Sequence, residues 1–207
     1  MATRKIALFG GTFDPIHLGH TRVAEAASDR IEAETVVFIP AKCSPLKGFP
    51  PNATDDDRLR MIELAIRSTE RFSVSDCELR RPAPSYTLDT VWHFQEQYGT
   101  EASIYWLIGA DSVDDLVLWH RIDELIDVCH LAVMVRGGYE PPSFDRHVQA
   151  LGHDRVEKLR RNTIETPAIS ISSTDVRRRL AAGEDVGDML CPDVLDYIRK
   201  RGLYRRN

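Results

Sequence analysis

"KIALFGGTFDPIHLGH", residues 5–20, decides how this chain is read. Ile6 to Phe9 is a short apolar run of the kind that forms a strand buried on both faces, and Gly10 and Gly11 follow it at once. Two glycines let a backbone turn sharply and approach a ligand with no Cβ in the way. A helix is expected over about 19–31, starting near His17 to Gly19, and its first N–H groups form an anion site. His17 and His20 fall on one side of that helix start, where imidazoles can donate hydrogen bonds to phosphate oxygens. Read alone, the pair is also open to metal binding or to a purely structural role. No third metal ligand is evident, and the G-x-G-x-x-G dinucleotide spacing is absent.

Working outward, short apolar runs alternate with helical patterns. "TVVFIP" (35–40) is a second strand, followed by a proline-rich loop and a helix from Asp57 to about Ser68. In that helix Leu59, Ile62 and Ile66 make the buried stripe, with Asp55, Asp56 and Asp57 at its positive end. "FSVS" (72–75) is a third strand and "SYTLDTVWHFQEQYG" (85–99) a helix ended by Gly99. "SIYWLIG" (103–109) is a fourth strand, with a helix expected across "SVDDLVLWHRIDELID" (112–127). "HLAVMVR" (130–136) is a fifth and "AISIS" (168–172) a sixth. Residues 139–162 read as a peripheral excursion. The alternation indicates an α/β protein with a doubly wound parallel sheet. All 207 residues form one domain, in which 173–207, carrying Val194, Leu195 and Ile198, make a small C-terminal helical appendage.

Composition bounds the function. A net charge of −5 argues against a nucleic-acid partner, and the basic "RKRGLYRR" end reads as a solvated helix terminus. Cys43, Cys77, Cys129 and Cys191 form no C-x-x-C pair, which fits a reducing cytosol and neither a structural zinc site nor a disulfide framework. The first apolar run is too short for a signal peptide, and no segment approaches the roughly 18 apolar residues of a membrane span. The expectation is a cytoplasmic protein without membrane contact.

In a parallel sheet, ligands bind at the carboxyl ends of the strands, where strand order reverses. A second polar cluster falls at such an end: "ISISSTDVRRRL" (169–180). Ser172 and Asp175 have capping-box spacing, and Ser172, Ser173 and Thr174 at a helix start with Arg177 one turn on also make a phosphate cradle.

"GGTFDPIHLGH" resembles the T/H-x-G-H signature of the nucleotidyltransferase superfamily, and "ISSTDVR" resembles its second phosphate element. "RPAPSYTLDTV" (81–91), "IGADSVDDLVLWHRIDEL" (108–125) and "VLDYIRKRGLY" (194–204) are similar to one branch, the bacterial nicotinate-mononucleotide adenylyltransferases. The resemblance runs from Ile6 to Tyr204 and implies a Rossmann-like nucleotidyltransferase fold. It implies adenylyl transfer from ATP to nicotinate mononucleotide, giving nicotinate adenine dinucleotide and pyrophosphate in NAD biosynthesis. Mg²⁺ would come with the ATP phosphates and not in a protein cage.

By that resemblance His17, His20 and Arg177 are catalytic. Gly10, Gly11, Thr12, Phe13, Lys47, Gly109, Asp111, Ser172, Ser173 and Thr174 bind ATP. Tyr86 and Thr87 meet the pyridine carboxylate, Trp119 stacks on the ring, and Arg136 completes the mononucleotide site near the phosphates. Bland roles stay open beside these: Asp111 as a helix cap, Trp119 as core, Arg136 as a solvated strand end. The chain departs from the family's P-P-H-[KR] loop, showing "CSPLK" (43–47), so the phosphate contact there passes to Lys47 and Lys42. The same chemistry on nicotinamide mononucleotide or another phosphate acceptor, a non-catalytic adenine-nucleotide sensor, and a homo-oligomer all remain open.

Overall fold

A computed structural model describes residues 4–43, 49–99 and 101–205. Six parallel strands form one sheet among the described residues: β1 (Arg4–Gly11), β2 (Thr35–Pro40), β3 (Phe72–Val74), β4 (Ala102–Gly109), β5 (His130–Arg136) and β6 (Thr163–Thr166), in the order β3-β2-β1-β4-β5-β6. The chain winds outward from β1 in one direction, returns to β4, and winds out in the other. The switch point therefore lies between β1 and β4, where a crevice opens at the carboxyl ends.

Side chains alternate across the sheet as a two-residue period requires. Ala7 and Phe9, with Val36 and Phe38, face a layer made by α1 (Leu18–Ile31), α2 (Asp55–Ile66), α8 (Ser173–Ala182) and α9 (Pro192–Arg201). Ile6 and Leu8, with Val37 and Ile39, face α4 (Thr87–Tyr98), α5 (Ile122–Val128) and α7 (His153–Arg161). Val194, Leu195 and Ile198 are buried in the first of these cores, so the C-terminal helices belong to the main layer. No disulfide joins the cysteines among the described residues. No helix among the described residues is long and apolar enough to cross a membrane.

Three expectations about elements are corrected. The sixth strand is Thr163–Thr166, paired in register with Val133 to Arg136, and not 168–172. Pro167 follows it and has no N–H to extend the ladder, so Ile169 and Ile171 run on as an extended approach to α8. The helix expected across 112–127 is broken into 3-10 turns at Ala110–Ser112 and Leu116–Leu118 before α5. Arg121, with φ of 51°, starts α5 from a left-handed conformation that no continuous helix passes through. Residues 139–162 are no mere excursion. They carry α6 (Val148–Leu151) and α7, bury Phe144, Leu151, Val156 and Leu159, and cover one face of the sheet between β5 and β6.

Candidate active site

Two chambers meet at the switch point. A larger one of about 1140 Å³ is lined by His17, His20 and Arg177 among others, a smaller one of about 620 Å³ by Tyr86, Thr87 and Trp119. Gly10, Gly11, Thr12, Gly109 and Asp111 line both, so the ends of β1 and β4 form their shared wall.

The turn after β1 differs from its sequence reading in which residue bends. Neither Gly10 nor Gly11 has positive φ; Phe13 does, at 48°, and a cis Asp14–Pro15 bond follows. Gly10 is needed because a Cβ there would lie 2.3 Å from Trp106 of β4, and Gly11 because its Cβ would meet the Phe13 ring at 2.9 Å. Phe13 is only 2% exposed and packs edge-on to His20 with centroids 5.1 Å apart, so it backs the site. Gly109 leaves room for Asp111, whose Oδ1 would be 2.2 Å from a Cβ there.

His17 is the N-cap of α1, with His20 one turn on. Their rings stack with centroids 3.7 Å apart, and the His17 backbone N–H donates to His20 Nδ1 at 3.2 Å. Because His20 Nδ1 accepts, a neutral His20 carries its proton on Nε2, as a donor. His17 Nδ1 is buried, and among the described residues it has no hydrogen-bond partner beyond the His20 backbone N–H that the His17 side chain faces in the capping box. Only glycine at 19 leaves that edge clear, since a Cβ would stand 2.9 Å from His17 Nδ1.

Burial lowers the His17 pKa from 6.5 to about 4. As the pH falls through that window, the unfolded chain takes up a proton that the folded chain refuses, and stability is lost. Wild type should lose up to about 3 kcal/mol relative to His17→Asn between pH 6.5 and 4, read as denaturant midpoints. Midpoints that fall in parallel would contradict a buried neutral His17.

Across the larger chamber α8 begins with Ser172 as its cap, whose Oγ accepts from Asp175 N at 3.1 Å. Ser173 Oγ donates to the Pro15 carbonyl at 2.9 Å, and Arg177 Nη2 donates to Thr174 Oγ1 at 3.3 Å. All three hydroxyls therefore carry structural bonds at the rim of the cradle. Arg177 Nη1 donates to the Asp14 carbonyl at 2.6 Å, which ties α8 to the β1 turn. Arg136 is exposed and lines this chamber with the histidines, apart from Tyr86 and Trp119. Lys47 lies outside the described residues.

In the smaller chamber Tyr86 caps α4 by its backbone conformation, with no side chain capping the helix. Tyr86 stacks on His120 at 4.1 Å, a partner sequence reading missed. Trp119 packs partly against the core and keeps a buried Nε1–H without a partner among the described residues, so it serves core and chamber together. Glu78, also missed, is 4% exposed and lines the chamber. Burial raises its pKa, Thr90 Oγ1 donates to it at 2.6 Å, and Arg81 lies 3.9 Å away. His120 directly follows Trp119 in the sequence, whereas no motif adjoins Glu78.

Residues 8–179 match the cytidylyltransferase-like family. A Rhodopirellula baltica protein described as "Probable nicotinate-nucleotide adenylyltransferase" is 36% identical over 200 residues, covering 97% of this chain and 93% of its own length. One of the same description from Neisseria meningitidis serogroup B is 38% identical over 203 residues, covering 98% and 100%. The chain belongs to the nicotinate-nucleotide adenylyltransferase family. The family's fold is matched by Plasmodium falciparum nicotinic acid mononucleotide adenylyltransferase, solved with NaAD, at a TM-score of 0.75, 22% identity and 97% coverage of both chains. The same enzyme complexed with APC gives 0.72 at 22% identity and the same coverage.

Proposed function

We propose that this family member transfers the adenylyl group of ATP to nicotinate mononucleotide, with the triphosphate in the larger chamber and the mononucleotide in the smaller. One observation carries the assignment of chambers: the two share the ends of β1 and β4, so groups held in each meet at that wall. The attacking group is the mononucleotide's own phosphate. Its oxygen forms a bond to the α-phosphorus while the bond to the β-phosphate oxygen breaks and pyrophosphate leaves. The protein then supplies no nucleophile; it positions two anions in line and stabilises the leaving group. His20 Nε2–H, the His17 ring and Arg177 serve the phosphates, with Gly109 and Asp111 on the adenosine side. Thr87 and the backbone at the start of α4 take the pyridine carboxylate, and Trp119 and Tyr86 flank the ring.

Among the described residues no group of three His, Cys, Asp or Glu side chains is placed to hold a metal. A metal ion would be carried in by the nucleotide's phosphates and water. Mg²⁺ so bound supplies further neutralisation of the triphosphate.

Trp119→Ala tests the assignment of chambers. Loss of ring stacking should raise KM for the mononucleotide roughly 2–10-fold while KM for ATP stays within about twofold. A rise confined to ATP would place the nucleotide in the wrong chamber, and an unfolded variant would make Trp119 a core residue.

A further inference from the structure

Asp14 lies inside the quoted stretch and lines the larger chamber, and its carboxylate is engaged in bonds within the protein. It is 3% exposed and its carboxylate collects four bonds. Asn52 donates to Oδ2 from its backbone N at 2.7 Å and from Nδ2 at 2.9 Å. Ala53 N donates to Oδ1 at 3.1 Å, and the Tyr204 hydroxyl donates to the same oxygen at 2.7 Å. These bonds hold the Asp14 carboxyl below its ordinary pKa, outweighing the opposing effect of burial. The backbone carbonyl of Asp14 is the oxygen that receives Arg177 Nη1, and Arg177 also lies 4.0 Å from Asp14 Oδ2. Asp14 therefore stands between Arg177 and the C-terminal end of the chain.

That end is aimed at Asp14. α9 stops at Gly202 in a left-handed conformation, and Tyr204 itself has φ of 61°, uncommon for a residue with a side chain. The preceding turn of α9 is anchored separately: Tyr197 and Arg201 both donate to Asp57, at 2.7 and 3.1 Å. Next to Asp57, the fully buried Arg58 donates to the Thr12 carbonyl at 2.7 Å. The carbonyls of Thr12 and Asp14, on either side of the bend at Phe13, are thus each fixed from the layer containing α2 and α9. Tyr204 lines neither chamber.

We infer that Tyr204 is a positioning residue for adenylyl transfer, setting the Asp14 turn and through its carbonyl the Arg177 guanidinium that serves the phosphates. The inference rests on the function proposed above. Tyr204→Phe keeps the ring and removes only the hydroxyl. It should lower kcat about tenfold, as loss of positioning at a phosphate clamp does, and weaken ATP binding, with KM for nicotinate mononucleotide held within about twofold. In an Arg177→Lys background the same substitution should cost far less, because the two residues act in series. A purely structural hydroxyl would lower thermal stability and give additive effects. Wild-type kcat and ATP affinity in Tyr204→Phe, an undiminished loss in the Arg177→Lys background, or failure of Tyr204→Phe to fold would each overturn the inference. Wild-type protein that makes no dinucleotide would instead defeat the proposed function, and calorimetric ATP affinity of Tyr204→Phe would still decide whether the coupling exists.

Discussion

His20→Ala should lower kcat about 10²–10³-fold with the fold intact, the loss expected when one donor to a developing anionic leaving group is removed. The expectation follows from geometry. His20 Nδ1 accepts from the His17 backbone N–H, which puts the proton of the neutral ring on Nε2, and His20 lines the chamber that also holds Arg177. The ring is half-buried and rests on Phe13 and on His17, both held independently by the turn and the helix start. Circular dichroism unchanged from wild type, together with near wild-type turnover, would remove His20 from the chemistry.

Some of this was legible in sequence because its causes are local. Ile6 to Phe9 declares a strand covered on both faces, and the structure divides those residues between two cores. The H-x-x-H spacing predicts two rings on one side of a helix start, and they stack there. What was not legible depends on partners far along the chain. The Asp14 carboxylate is bonded by Asn52, Ala53 and Tyr204, up to 190 positions away. Arg58 of α2 is fully buried and bonded to the Thr12 carbonyl, 46 positions away. Gly10 reads as space for a ligand, whereas the indole of Trp106 is what excludes a side chain there. "AISIS" alternates like a strand, but Pro167 ends the ladder before it, and the polar "TIET" takes the sheet edge.

The second large effect is selectivity for the acid over the amide. Nicotinate and nicotinamide mononucleotides differ in a carboxylate against a neutral amide, so the smaller chamber must sense one negative charge. α4 starts at Thr87 with no side chain capping it, and both Tyr86 and Thr87 line the chamber. A carboxylate at that helix start gains about 0.3–2 kcal/mol from the dipole. It also accepts charge-assisted hydrogen bonds about twice as strong as neutral ones. An amide would turn an NH₂ toward donors and leave one unpaired, at about 1–3 kcal/mol. Two acidic side chains nearby bear on the balance. Asp89 in the first turn lines neither chamber, and burial moves Glu78 toward its neutral form, which lessens repulsion of the substrate.

The measurement that bears most directly on the account is kcat/KM for the two mononucleotides at saturating ATP and Mg²⁺, following dinucleotide and pyrophosphate together. The account predicts one pyrophosphate released per nicotinate adenine dinucleotide formed, and a preference for the acid of about 10²-fold or more. Equal kcat/KM for acid and amide, or a folded protein that forms no dinucleotide from nicotinate mononucleotide, would contradict it.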